Sequence, residues 1–369
     1  MVKDKELMLH RQRERRRLAR LHKLRLRKQV NSGQQASARA LAPNANLPEG
    51  SNVSAAACLQ PPASLNLSAN YTATVQFLED VRTVAAGLRG QFWVDFTKIE
   101  QITPAAALLL VAELDRWKDR TAYKRLSALD VQGWRPAVRK RLSDMGFFTV
   151  LNAVCAVVDP DDPEGERFLP FVTGHRSEGD KARELRIAIE SLGAKLKDST
   201  ALYDGLIEAM TNVEHHAYQL GIPESFKRWW MSASVNASKN RLTVMFVDHG
   251  LTIPRTLPKS DFWEQIRGTL GFVTGILKDH AKLIEAAISV ERSQLNQGHR
   301  GNGLKRDIQG YVEQHEAVGS LRIISGDGQY VFQKRTGMPD KIELKTLPVR
   351  FRGTFIEWVI EDYATSEQS

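Results

Sequence analysis

The fold of this 369-residue chain is decided by the stretch YDGLIEAMTNVEHHAY, which runs from Tyr203 to Tyr218. Its apolar residues Leu206, Met210, Val213 and Ala217 follow a spacing of four, three and four. That spacing predicts an amphipathic helix, because residues three and four apart share one helix face. The helix is expected to bury this apolar stripe in a core.

The same stretch carries a second, polar stripe. Glu208, Asn212 and His216 recur every four residues, so they are expected one turn above another on one face. A carboxylate, an amide and an imidazole in one row indicate a face that binds a ligand and supplies a base. The adjacent pair His215 and His216 points to different sides of a helix, so no zinc site is expected there.

The charge of the chain is unevenly distributed. Residues 1–28 hold 12 of the 52 basic and 3 of the 43 acidic residues, so the whole net charge of +9 lies in this segment. We interpret residues 1–29 as a basic arm of helix-forming composition. It is either a solvated helix or a segment that binds phosphate, nucleic acid or an acidic partner.

Residues 30–68 are rich in Ser, Ala, Asn, Gln and Pro, which predicts a disordered linker. Two isolated cysteines, Cys58 and Cys155, form neither a disulfide framework nor a zinc motif. The longest apolar run, 104–112, is too short to cross a bilayer, and no apolar segment follows the basic N-terminus as in a secretory signal. A cytoplasmic protein without a membrane contact is expected.

Residues 69–165 alternate strand and helix patterns. The strands QFWVDF (91–96) and RLSALDV (125–131) flank a helix that is expected to begin at Pro104 after a Thr103 cap. A further helix is expected to end at Gly146. This order predicts a small α/β domain.

Residues 166–365 predict a second α/β domain, a two-layer sandwich with helices on one side of a mixed sheet. A hairpin is expected between RWWMSASV and RLTVMFVD, with two further strands near the C-terminus. Four short motifs follow one another here: E-x-x-x-N (208–212), DHGLTIP (248–254), GHRGNGL (298–304) and GTF (353–355). Each of these motifs is common in proteins and does not indicate a function by itself.

Together and in this order, the motifs resemble the GHKL (histidine kinase-like, Hsp90-like, Bergerat-fold) ATP-binding domain over roughly residues 168–363. EAMTNVEHHAY is most similar to the matching segment of bacterial anti-sigma-factor serine kinases. The resemblance implies Glu208 as catalytic base, Asn212 as Mg²⁺ ligand and Asp248 as acceptor from the adenine amino group. It further implies ATP contacts from His216, Gly250, Ile253, Gly298, Gly301, Asn302, Gly303, Leu304 and Thr354. Gly250 is expected to let the backbone approach the adenine ring. Thr252 stands where the family has the second glycine of D-x-G-x-G.

Residues 69–165 resemble a STAS domain, the fold of anti-sigma-factor antagonists, through WVDFTKIEQITPAAALLL and DVQGWRPAVRKRLSDMGF. In those antagonists, a serine at the start of the helix that corresponds to PAAALLL accepts phosphate. Here Pro104 or Ala105 occupies that position, and Thr103 is the nearest hydroxyl.

The two resemblances imply a bacterial Mg-ATP-dependent hydrolase that acts as a conformational switch in a regulatory or partner-switching system. One alternative is a serine/threonine kinase that acts on a STAS-like partner. Another is a nucleotide-binding scaffold that contacts nucleic acid through residues 1–29. A protein partner, either STAS-like or a second copy in a dimer, is expected in each case.

Overall fold

The computed structural model describes residues 57–87, 90–118, 124–153, 155, 157, 159–160, 165–192, 199–219, 222–260, 263–270, 278–290, 309, 312 and 318–361. The basic arm 1–29, residues 30–56 of the predicted linker and the glycine-rich turn 298–304 lie outside the described residues. The described strands form a three-stranded, a two-stranded and a six-stranded sheet, and helices cover them.

The first sheet is parallel and has the strand order β1-β3-β5, with a second, two-stranded parallel pair formed by β2 and β4. The elements of this unit are β1 (Ala57–Leu59), β2 (Ser64–Leu65), α1 (Tyr71–Gly87), β3 (Gly90–Asp95), β4 (Gln101–Ile102), α2 (Pro104–Lys118), β5 (Lys124–Leu129), α3 (Pro136–Asp144) and α4 (Phe147–Val150). Parallel strands joined through helices are the arrangement that the alternating sequence pattern predicts.

The linker prediction for residues 30–68 is wrong for its last part. Residues 57–59 and 64–65 form strands, and the side chains of Leu65 and Leu67 are buried. The composition is misleading here because these short strands pair with β3 and β4, so neighbouring strands, not a dense apolar run, stabilise them.

The second sheet has the order β10-β11-β9-β8-β6, and β7 also pairs with β8. Its elements are β6 (Glu166–Phe168), β7 (Val172–Gly174), α5 (Gly179–Ser191), α6 (Ser199–Asn212), β8 (Trp229–Asn236), β9 (Arg241–Asp248), α7 (Ile253–Thr256), α8 (Trp263–Leu270), α9 (His280–Val290), β10 (Gly319–Lys334) and β11 (Lys341–Glu361). Every pairing of the described strands in this sheet is antiparallel, so the expected mixed sheet is wrong. Hairpin connections explain the difference, because β8–β9 and β10–β11 each reverse through a short turn.

The second sheet is covered on both faces, which corrects the prediction of helices on one side. Alternate residues of its strands enter two different cores. Trp229, Met231, Val244 and Phe246 pack in a core with α5, α6 and α9. Residues on the opposite face of the sheet belong to the core of the first unit: Trp230, Met245, Val247, Ile324 and Phe355. On this face, α2 packs against β8 and β9.

Helix α2 is therefore buried almost all round, as expected for a helix between two sheets. Residues 105–114 are each 5% exposed or less, and this includes the charged Glu113 at 1%. The helix begins where the sequence predicts, since the Thr103 hydroxyl accepts a hydrogen bond from the Ala106 N–H at 3.3 Å. Among the described residues, no helix has both the length and the apolar character needed to cross a membrane.

Candidate functional site

The helix that carries the polar stripe is α6. Its apolar stripe, Leu206 and Met210 with Val213 and Ala217 beyond it, is buried as predicted. On its other face the Asn212 amide nitrogen donates to the Glu208 carboxylate at 3.1 Å. Because the amide nitrogen of Asn212 faces Glu208, its amide oxygen points away from that contact.

The helix that the sequence predicts over Tyr203–Tyr218 is regular only to Asn212. Residues Val213–Ala217 form a π-helical turn, and the backbone becomes extended at Tyr218. The wider turn changes the angular spacing of the side chains, and His216 is exposed. The structure thus joins Glu208 and Asn212 by a hydrogen bond, and it places His216 on an exposed turn beyond them.

The end of this π-helical turn contacts the loop after β9. The Leu251 N–H donates to the Ala217 carbonyl at 2.5 Å. A Cβ on Gly250 would lie 2.3 Å from the same carbonyl oxygen. The residue at position 250 must therefore lack a side chain because the loop packs against the α6 segment, a requirement that is separate from the expected approach to the adenine ring. The contact brings the Glu208 helix and the Asp248 loop together.

Asp248 is the last residue of β9 and is 4% exposed. It lies opposite Thr354 of β11 in the sheet register. The Gly250 N–H donates to Asp248 Oδ1 at 2.7 Å, and the backbone and hydroxyl of Thr354 also hydrogen-bond the carboxylate. Two residues far apart in sequence, both predicted for the site, therefore meet at the end of β9.

Ser325 extends this cluster and was missed by the sequence reasoning. Its side chain is fully buried, and its hydroxyl lies 3.0 Å from the Thr354 hydroxyl. The Ile253 N–H donates to Ser325 Oγ at 2.9 Å, which accounts for the position of Ile253 next to the cluster. Only the pairing of β10 with β11 brings Ser325 opposite Thr354, and no local motif marks it.

Burial raises the pKa of Asp248 to about 7, although the hydrogen bonds from Gly250 and Thr354 act in the opposite direction. A carboxylate in a dry site loses its hydration, and this disfavours the charged form more than the nearby Arg116 charge favours it. Asp248 therefore titrates near neutral pH. Such a group can gain a strong hydrogen bond from a ligand that donates to it.

Gly353 precedes Thr354 and fixes the approach of the two strands. Its φ is +73°, and a Cβ would lie 2.0 Å from the Asp248 carbonyl oxygen. Both facts require glycine at this position. The GTF motif thus has a structural reason, since the missing side chain lets β11 reach the backbone of Asp248.

Helix α2 of the first unit contributes buried charges behind the Asp248 loop. Arg82 of α1 makes two hydrogen bonds to the Glu113 carboxylate, at 2.9 and 2.5 Å. The His249 ring lies 3.6 Å from Glu113. Burial lowers the pKa of His249 to about 3 in spite of the nearby carboxylate, so at pH 7 the imidazole is neutral and this approach is not an ion pair.

A second set of contacts connects α2 to the segment that follows the π-helical turn. The Trp230 indole N–H donates to Asp115 at 2.8 Å, and Asp115 lies 3.4 Å from Arg228. The Tyr218 hydroxyl donates to the Arg228 carbonyl at 2.8 Å. Helix α2 therefore contacts the Asp248–His249 end of β9 and, through Arg228, the segment that follows the π-helical turn.

Two polar atoms of the loop after β9 are buried and have no hydrogen-bond partner among the described residues: His249 Nδ1 and Thr252 Oγ1. Thr252 is 5% exposed and lies four residues after Asp248 in the chain. Buried polar groups are normally satisfied, so the orphaned Thr252 hydroxyl marks a position at which a ligand could supply the partner.

The remaining predicted site residues lie outside the described part of the chain: Gly298, Gly301, Asn302, Gly303 and Leu304. Across the described residues, no three His, Cys, Asp or Glu side chains gather as a metal-binding group. The site that is described consists of Glu208 and Asn212 on one element and of Asp248, Thr354 and Ser325 on the others.

In comparisons with known proteins, no protein-family model, no curated protein and no solved structure matches this chain.

Proposed function

We propose that the chain binds Mg-ATP as a GHKL-type ATPase and acts as a nucleotide-dependent switch in a bacterial regulatory system. The contact between Asp248 and Thr354 carries the proposal. The sequence motifs assign both residues to adenine recognition, and the fold brings them together beside the Glu208 helix. Their surroundings are dry, which strengthens a hydrogen bond from an adenine amino group to the carboxylate.

The residues present suit the chemistry of the nucleotide. Asp248 would accept the hydrogen bond of the base, and the orphaned Thr252 hydroxyl would gain a partner. Asn212 would offer its amide oxygen to Mg²⁺, a hard ion that takes few protein ligands. Bound Mg-ATP would supply a γ-phosphoryl group whose negative charge the metal neutralises.

Glu208 would orient or deprotonate the attacking hydroxyl. Its hydrogen bond to Asn212 holds the carboxylate beside the proposed metal ligand at 3.1 Å. Attack by water releases phosphate and makes the protein an ATPase switch. Attack by a partner hydroxyl makes it a serine/threonine kinase, the alternative function.

The first unit, with its STAS-like sequence, fits a regulatory role more closely than that of a phosphate acceptor. The Thr103 hydroxyl is engaged as the cap of α2, where it accepts from Ala106. Helix α2 also contacts the Asp248 loop through Glu113 and His249. We place the chain in the cytoplasm, with a protein partner that is STAS-like or a second copy, and with residues 1–29 as a segment that could contact nucleic acid.

Labelled ATP distinguishes these functions. Released phosphate supports the ATPase, label on a STAS-like partner supports the kinase, and binding without turnover supports a scaffold. Glu208→Gln is expected to retain ATP binding and to lose turnover by about 10²–10⁴-fold, the usual contribution of a positioned base. Glu184→Gln, on the exposed face of α5, is the matched control and should behave as wild type. Equal turnover in both variants would remove Glu208 from the mechanism.

The affinity for ATP is expected to rise as the pH increases from about 6 to about 8. Asp248, with its pKa raised to about 7, accepts from the adenine amino group only when it is ionised. Titration calorimetry at saturating Mg²⁺ measures this dependence. ATP titrates in the same range, so Asp248→Asn is the reference: the wild type should show the steeper rise. Parallel curves for the two proteins would contradict the assignment.

A further inference from the structure

A cleft of about 660 Å³ lies between the two units, at the end of the second sheet away from Asp248. One wall is the start of α2 with β4 and α3. The other wall is the sheet face that looks toward the first unit, including Arg241, Thr243, Arg322 and Glu357. Volumes of this size are typical of sites for small molecules.

The sheet face changes character along its length. Near Asp248 it presents apolar side chains such as Met245 and Val247, which α2 covers. Two and four residues earlier on the same face of β9, Thr243 and Arg241 line the cleft. The two units therefore pack tightly at one end of this face and enclose a polar space at the other.

The carboxylates that line the cleft are each engaged by an arginine. Glu166 pairs with Arg141 at 3.2 Å, Glu357 with Arg322 at 2.6 Å, and the more exposed Glu100 with Arg135 at 3.6 Å. Arg241, in contrast, has no ion pair among the described residues. The cleft wall therefore carries one positive charge, that of Arg241, which no carboxylate of the described residues pairs with.

Three arginines that line the cleft have an Nε atom without a hydrogen-bond partner among the described residues: Arg141, Arg241 and Arg322. These Nε atoms are shielded from solvent, so a ligand in the cleft would meet the terminal nitrogens of the guanidinium groups instead. Arg141 and Arg322 already use terminal nitrogens in ion pairs, whereas Arg241 does not within the described part of the chain. The unpaired charge of Arg241 therefore calls for an acceptor with negative charge.

The opposite wall favours the same kind of ligand. Thr103, Pro104 and Ala105 line the cleft at the first turn of the 15-residue α2. The positive end of the helix dipole lies there. The Thr103 hydroxyl already caps the helix, so backbone and dipole, not this side chain, supply the attraction.

We propose that this cleft binds a small molecule through an oxyanion group, phosphate or carboxylate, held by Arg241. Planar guanidinium groups match both oxyanions with paired hydrogen bonds. The volume suits an organic anion larger than a bare ion. Because the walls belong to different units, a bound ligand would join them.

This site is separate from the candidate nucleotide site and does not depend on it. Arg241 and Asp248 are the two ends of β9, roughly 24 Å apart at about 3.4 Å per residue. An anion in the cleft would contact the same strand that ends in Asp248. It would therefore occupy a second site, not a part of the adenine pocket.

Calorimetry on the full chain at constant ionic strength tests the proposal with inorganic phosphate, ribose 5-phosphate and citrate as probes. At least one probe should bind saturably, and the preference among them identifies phosphate or carboxylate as the recognised group. Arg241→Ala should weaken that binding roughly tenfold or more. Arg241→Lys, which keeps the charge but not the planar fork, should lie between wild type and Arg241→Ala.

Two controls make the result specific. Arg183→Ala removes an equal charge from an exposed position, and Asp248→Asn alters only the other site, so both should bind the probe as wild type does. Circular dichroism confirms that each variant is folded. No saturable binding of any probe to wild type, or equal loss in Arg241→Ala and Arg183→Ala, would overturn the proposal.

Discussion

Glu113→Ala is expected to lower the free energy of unfolding by roughly 3 kcal/mol. The substitution leaves the Arg82 guanidinium, 8% exposed, without its buried partner. The nearby Glu79 still pairs with Arg82 at 2.6 Å, which places the expected cost at the lower end of the range for broken buried pairs. Urea unfolding followed by tryptophan fluorescence measures the change, and Trp230 lies close enough to report it.

A surface ion pair provides the matched control. Glu264 and Arg267 lie 2.6 Å apart but are 73% and 49% exposed, so Glu264→Ala should cost about 1 kcal/mol or less. The double variant Arg82→Met/Glu113→Leu removes both buried charges and should recover most of the loss. If Glu113→Ala and Glu264→Ala had the same small effect, the buried pair would not stabilise the contact between α2 and the sheet.

Gly353→Ala is expected to destabilise the protein by roughly 2–5 kcal/mol and to disturb the Asp248 site. About 1–2 kcal/mol comes from the left-handed backbone at φ +73°, which alanine resists. A further 1–3 kcal/mol, in order of magnitude, comes from the new Cβ, which would lie 2.0 Å from the Asp248 carbonyl oxygen and must push the strands apart.

Gly337 separates the two contributions. It has the same φ of +73°, but a Cβ there would meet nothing within 4 Å. Gly337→Ala should therefore show only the cost of backbone strain in thermal and urea unfolding. Equal destabilisation by the two substitutions would mean that β11 can move away from Asp248 freely, against the rigid contact described above.

Local patterns in the sequence predict the parts of the site that local geometry determines. The spacing of Glu208 and Asn212 places them within hydrogen-bonding distance on one helix, as the structure has them. The strand-like runs RWWMSASV and RLTVMFVD predict the β8–β9 hairpin, and the Thr103–Pro104 pair predicts the start of α2.

Long-range packing explains what the sequence reasoning missed. In the sequence, Glu113 follows the apolar run 104–112, and nothing local indicates that it is buried. It is buried because Arg82, on another helix, compensates its charge. Ser325 becomes a site residue only through its pairing with Thr354. The second covered face of the sheet follows from the contact between the two units, and no periodicity within β8 or β9 reveals which neighbour covers each face.

The most direct test of the central claim compares Mg-ATP binding by the wild type and by Asp248→Asn. In the variant, the side-chain oxygen of the introduced asparagine would still accept the hydrogen bond from the Gly250 N–H. The side-chain NH₂ would then face the amino group of adenine, so two donors would oppose each other. We expect ATP affinity to fall by roughly 100-fold or more. Because the folded-state pKa of about 7 lies above the ordinary 3.8, the wild type loses stability from this group as the pH rises from about 4 to about 7, and the loss is complete above pH 7. The variant lacks this titration, so its stability should depend less on pH over the same range. A weaker pH dependence of stability together with an ATP affinity lowered roughly 100-fold is the result that the account predicts. A wild type that does not bind ATP, or a variant that binds it equally well, would contradict it.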